Sequence, residues 1–229
     1  MTEYLQMDAL PMVLTLGAFW IGTLCQKKWK SPILNPILIG MAIVVIFLLV
    51  SGMDPAAYKA GTAKLSWLMT PATISLAIPM YENLQILKKN TLAVLVGAIA
   101  GAMTSILTIM AIGIMLQLDR SILISIMPKS VTTAIGVVLS DLNGGIGAVT
   151  TIAIVLTGVL ANLTGTAMCD LFAITDPVAK GVAFGTAGHV IGTTKASEIS
   201  PLTGAVSSLS LVVAGLMTAL LFPALSSLA

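Results

Sequence analysis

This chain has almost no histidine, little cysteine and few charges. One histidine, His189, and two cysteines, Cys25 and Cys169, occur in 229 residues. A metal-ligand cluster needs more such groups, and the cysteines form no CxxC pair, so they read as packed free thiols. No metal or other cofactor is expected. Charged residues make up 9% of the chain, against about a quarter in soluble domains. The net charge is only +2, and no basic stripe carries interleaved aromatics, so a nucleic-acid partner is excluded. The first ten residues, MTEYLQMDAL, lack a basic stretch before the apolar one and do not read as a cleavable signal peptide.

What remains is apolar. Hydrophobic residues make up 57% of the chain, with a mean hydropathy of +1.05. So apolar a surface cannot face water, and the partner it calls for is the lipid bilayer. The length suits one membrane domain over residues 1–229. The expected class is an all-α polytopic protein, because helices satisfy their own backbone in lipid.

A helix needs about 20 apolar residues to cross the hydrocarbon core. About eight segments approach this: Pro11 to Gln26, Ile33 to Val50, Leu65 to Tyr81, Thr91 to Leu116, Ser121 to Leu139, Gly147 to Met168, Pro177 to Ala196 and Thr203 to Leu225. The third, fifth and seventh carry proline, charge or many glycines, and read as broken or re-entrant helices. Irregular backbone survives at membrane depth only inside protein or beside a wet cavity. Lys27, Lys28 and Lys30 follow the first segment, and Lys88 and Lys89 follow the third. The positive-inside rule puts both clusters in the cytoplasm and the N-terminus outside. A shift of roughly 57 residues pairs Gly147-Ala148-Val149 with Gly204-Ala205-Val206, and Pro71 with Pro128. Chance similarity in low-diversity sequence is the alternative to a repeat of this period.

Two polar islands stand out. Pro128 to Ile135 reads PKSVTTAI. Proline breaks the helix there, beside one cation, Lys129, and the hydroxyls of Ser130, Thr132 and Thr133. That set suits a small carboxylate. The plainer alternative is a snorkelling lysine and hydroxyls bonded to their own helix. Phe184 to Ala196 reads FGTAGHVIGTTKA. Gly185, Gly188 and Gly192 recur at helical spacing and permit close helix approach. His189, with Thr193 and Thr194 nearby, is an intramembrane titratable group and hence a candidate ligand or proton carrier. A buried histidine bridging two helices is the alternative. Lys195 and Glu198 fit an interfacial ion pair. No Ser-His-Asp set, carboxylate pair or phosphate loop supports an enzyme.

The order PKSVTT, then DLNGGIG at Asp141 to Gly147, then DPVAKGVAFGTAGHVIGTTKA and a last apolar helix, resembles the LrgB/CidB family. Ala134 stands where that family often has proline, and Gly188 where a serine commonly precedes the histidine. The resemblance implies a multi-pass protein of the bacterial inner membrane and a smaller LrgA/CidA-like membrane partner. It further implies either uptake of small monocarboxylates such as pyruvate or glycolate, proton- or ion-coupled, or an antiholin-like role in murein hydrolase activity and lysis. On the carrier reading Lys129, Ser130, Thr132 and Thr133 form one wall of the site, and His189, Thr193 and Thr194 the other. On the antiholin-like reading, glycines such as Gly97, Gly101, Gly158 and Gly215 drive homo-oligomers.

Overall fold

The computed structural model describes residues 9–29, 36–75 and 77–228. The N-terminal acidic residues, Lys30 and the start of the expected second segment lie outside them. Among the described residues there are eleven helices and no strand. Chain contacts divide the protein into two compact units, Met1–Ser75 and Leu76–Ala229.

The first unit holds α1 (Ala9–Trp29), α2 (Pro36–Ser51), α3 (Pro55–Gly61) and α4 (Ala63–Ser75). Gly40 of α2 backs onto Phe19 of α1 at 3.5 Å, and Gly22 onto Pro36 at 2.7 Å, measured from the position a Cβ would take. Residues 19 and 22 thus meet 40 and 36, so the two helices run antiparallel. Asp54 caps α3 by accepting the Ala56 N–H at 3.0 Å, with proline next in line. Tyr58 of α3 then shares a hydrogen bond with Thr15 of α1 at 2.6 Å.

The second unit holds α5 (Ala77–Glu82), α6 (Leu84–Met115), α7 (Arg120–Ile126), α8 (Thr133–Leu142), α9 (Gly147–Leu171), α10 (Pro177–Ile199) and α11 (Pro201–Ser226). The residues of the expected third segment, Leu65 to Tyr81, fall in α4 and α5, and Leu76 between them lies outside the described residues.

Helices α7 and α8 form a hairpin. Pro128 cannot donate to the Ile124 carbonyl, so α7 stops and the chain turns through Lys129, Ser130 and Val131. The Ile146 N–H, beyond the end of α8, donates to Ser125 Oγ of α7 at 2.7 Å. The two arms therefore start and finish at the same end of the unit. Arg120 donates to the Ser226 carbonyl at 3.1 Å, and Ser226 donates to Asn143 at 2.9 Å. The end of α11 lies at that end too.

α10 is a second hairpin. Asp176 caps its start by accepting the Ala179 N–H at 2.8 Å. The backbone leaves the helical region at His189, with φ 43° and ψ −137°. A Cβ on Gly192 would lie 2.6 Å from the Phe184 carbonyl oxygen. Eight residues of straight helix would separate these positions by about 12 Å. The arms therefore fold side by side, and Phe184 packs with Ala196 and Cys169. Gly181 on the first arm and Ser197 on the second both meet the start of α11, near Val206 and Gly204. This hairpin opens at the opposite end of the unit from α7–α8.

Each hairpin is followed by one long helix, α9 or α11. The offset of roughly 57 residues carries the start of α9 at Gly147 to Gly204 in α11 (204 − 147 = 57). The paired halves enter from opposite ends, so the arrangement is inverted. Among the described residues, four helices, α1, α6, α9 and α11, are long and apolar enough to cross a membrane. The expected fifth and seventh segments, which carry proline, charge or many glycines, are the two hairpins, and the start of the second lies outside the described residues. Leu92, Val96 and Leu107 of α6 present exposed apolar surface of the kind lipid covers.

The Gly192 contact yields a test. Gly192→Val should cost about 1–3 kcal/mol by forcing the hairpin arms apart. Gly17 has nothing within 4 Å of its Cβ position, so Gly17→Ala should stay within about 0.5 kcal/mol of the parent. Thermal melts in detergent compare the two.

Candidate functional site

The tip of the first hairpin meets α6. Lys129 Nζ donates to Ser130 Oγ at 3.1 Å and to Ser105 Oγ at 3.3 Å, and the two hydroxyls bond each other at 2.9 Å. Beside this triangle is a cavity of about 520 Å³. Its wall includes Thr104, Ser105 and Thr108 of α6, Lys129 and Ser130 of the tip, and Thr186 of α10. The lining residues include no carboxylate. An ammonium group held by neutral hydroxyls therefore faces open volume without a counter-charge among them, an arrangement suited to an anion.

Thr132 and Thr133 lie off the cavity wall. Thr132 sits at the N-cap of α8 in extended geometry, without a side-chain cap bond, and Thr133 opens the helix. Pro128 is fully buried, and its carbonyl lies 3.3 Å from the Cβ position of Gly136.

His189 faces a different helix. It is 3% exposed, and its Nε2 lies 2.9 Å from the Ile154 carbonyl of α9. A carbonyl only accepts, so Nε2 carries the proton. Gly158, one turn on, makes room for the ring: a Cβ there would lie 2.5 Å from Cε1. Thr193 donates to the His189 carbonyl at 2.8 Å and pairs with Ser207 of α11 at 2.9 Å. Asn162 of α9 donates to the Ile191 carbonyl at 3.2 Å. Thr194 is exposed and bonds its own helix at Ile191. Lys195 pairs with Glu198 at 2.8 Å on the surface.

The two sequence islands thus have different surroundings. Lys129 and Ser130 line the cavity; His189, Thr193 and Thr194 do not. The α10 residues at the cavity are Ala183, Thr186 and Ala187, just before the break. Gly185, Gly188 and Gly192 do not share one face of a straight helix, because His189 interrupts it. Each still allows a close approach: Gly185 to the Ser207 carbonyl, Gly188 to Ala161 and Gly192 to Phe184. The sequence reading also missed Ser105, Thr104 and Thr108. Their signal was present, since positions 104, 105 and 108 share a face in an otherwise apolar helix. Among the described residues, no three His, Cys, Asp or Glu side chains gather as metal ligands.

A bundle of apolar helices around two opposed hairpins, with a cation-lined cavity at one tip, defines an all-α polytopic membrane protein. The chain matches the LrgB-like family over residues 15–228, and it belongs to that family. It is 33% identical over 213 residues to the antiholin-like protein LrgB of Bacillus subtilis (strain 168), covering 93% of this chain and 92% of that one. The antiholin-like protein LrgB of Bacillus cereus (strain B4264) is 32% identical over 213 residues, covering 93% of each chain. No solved structure matches.

Thr193 and Thr194 offer a paired test. Thr193→Val removes the bonds to the His189 carbonyl and Ser207, and should cost about 0.5–2 kcal/mol, the range for such bonds in membranes. Thr194→Val, on an exposed face, should change stability by less than about 0.5 kcal/mol. Unfolding in mixed detergent measures both.

Proposed function

We propose that this protein carries small monocarboxylates of the pyruvate or glycolate type across the bacterial inner membrane. The observation that supports this is the Lys129 ammonium beside a cavity walled by hydroxyls. Lys129 supplies the charge. Ser105 and Ser130 hold it in place, and Thr104, Thr108 and Thr186 offer hydrogen bonds to a carboxylate or to a hydroxyl or carbonyl next to it. His189 is the group available for a coupled proton; it sits at the turn of the α10 hairpin with its ring against α9, away from the anion's wall. Thr132 and Thr133, off the cavity wall, shape the turn into α8.

The lysine rule sets the topology. Lys88 and Lys89 near the start of α6 assign that end of the second unit to the cytoplasm. The α10 hairpin then opens inward and the α7–α8 hairpin outward. On the same rule the N-terminus of the chain lies outside, and the protein is multi-pass.

A second reading rests on the relatives' printed name, antiholin-like protein. In it the chain forms homo-oligomers, alone or with a small LrgA/CidA-like membrane protein, and restrains murein hydrolase activity and lysis. The two readings differ in what they require of Lys129.

Labelled pyruvate, glycolate and lactate offered to proteoliposomes holding this chain separate them. The carrier reading expects saturable uptake of at least one acid, reduced ten-fold or more by Lys129→Met. The antiholin-like reading expects no saturable uptake. It also expects a change in dye leakage or lysis that Lys129→Met leaves intact and enlargement of Gly215 alters.

A further inference from the structure

A second cavity, of about 460 Å³, continues from the first. It runs between α6 and the first arm of α10, past Gly97 and Val182, to Asn90 and Asp176. Ala183 and Thr186 belong to the walls of both cavities. The two helices touch where a Cβ on Gly97 would meet Val182 at 2.9 Å, and one on Gly101 would meet Thr186 at 2.9 Å. Beside this seam the cavity walls form a furrow that reaches Asn90 and Asp176, where α6 and α10 begin.

Toward the other end the cavity is backed by packed side chains. Ile106, Leu123, Ile124, Met127 and Phe222 form an apolar cluster, each at most 2% exposed, and Ile109 packs against it. Ile109 also lines the Lys129 cavity. The cavity is therefore backed by tightly packed side chains from α6, α7 and α11 on the side where the first hairpin opens. Asp176 at the mouth has its carboxylate turned onto the N-terminus of α10, which offsets its repulsion of an anion.

We propose that the furrow between α6 and the first arm of α10 is the route by which a small carboxylate reaches Lys129 from the Lys88–Lys89 end, with Ala183 setting its width. This rests on the carrier reading for its cargo, but the water-filled route has its own test. Ala183 sits at the junction of the two cavities, so a larger side chain there blocks passage without entering the packed cluster.

The test uses the full chain in oriented membrane vesicles, with Cys25→Ser and Cys169→Ala as background. Ala93→Cys and Ala183→Cys mark the furrow, and Leu123→Cys marks the closed cluster. The probe is a membrane-impermeant cationic thiosulfonate, which reacts with a thiolate and so reports water. The furrow positions should react from the side that carries Lys88, and at least ten-fold faster than Leu123→Cys from either side. Unreactive furrow cysteines, or reaction only from the opposite side, would overturn the route. In uptake, Ala183→Leu should lower the rate at least ten-fold while Ala183→Gly keeps it. Full uptake by Ala183→Leu would overturn the assigned width. If the parent protein moves no acid at all, the carrier reading fails, and the labelling still decides whether water reaches Lys129 by this path.

Discussion

The architecture of the second unit depends on one hydrogen bond, from His189 Nε2 to the Ile154 carbonyl. His189 holds a backbone geometry that a residue with a side chain rarely adopts, at φ 43°. Such strain persists only where the surroundings fix it. Here the fixing is done by the bare backbone of Gly158 beneath the ring, the Thr193 hydroxyl on the His189 carbonyl, and Asn162 on the Ile191 carbonyl. Once the chain reverses at this point, Phe184 can reach Ala196 and the start of α11 can touch both arms. Thr186 comes to lie on the α6 side, where the cavity is.

The distribution of polar groups follows from the solvent. In lipid, a side-chain hydroxyl needs a partner and a backbone break needs shelter. Both breaks in the second unit are sheltered by α9. Ile154 lies against Gly136 of the first hairpin and bonds His189 of the second. Buried hydroxyls gather along α11 (Thr203, Ser207, Ser208, Ser210 and Thr218), while leucines at 216 and 220 point outward. Helix α11 thus turns its hydroxyls inward and leucines outward, beside buried apolar clusters such as Ile106, Ile124 and Phe222. A cavity within such a bundle can hold a charged guest.

Much of this was legible in the sequence. Composition alone gave the all-α membrane class. The two islands lie at the two hairpin tips, because proline at 128 and glycines around 189 leave few other places for the chain to turn. The partnership between the islands was not legible. Sequence spacing placed Lys129 and His189 among polar neighbours, but it carries no record of which helix each tip meets. Lys129 meets α6 at Ser105 and His189 meets α9 at Ile154, and the room for the His189 ring depends on Gly158, far from either island. Ser105 stood with Thr104 and Thr108 on one face of a 32-residue helix, but nothing in the spacing told which lysine would reach that face.

The His189 bond also dictates an order of assembly. It joins residues 35 apart in sequence, and Thr193 joins Ser207 across 14. An open hairpin tip exposed to lipid would leave its carbonyls unmet. The reversal at His189 therefore has no stable form until α9 stands beside it, and none that is fully bonded until α11 has been made. During synthesis the long helices must come to rest first, and the hairpin between them closes last, as a latch rather than a nucleus.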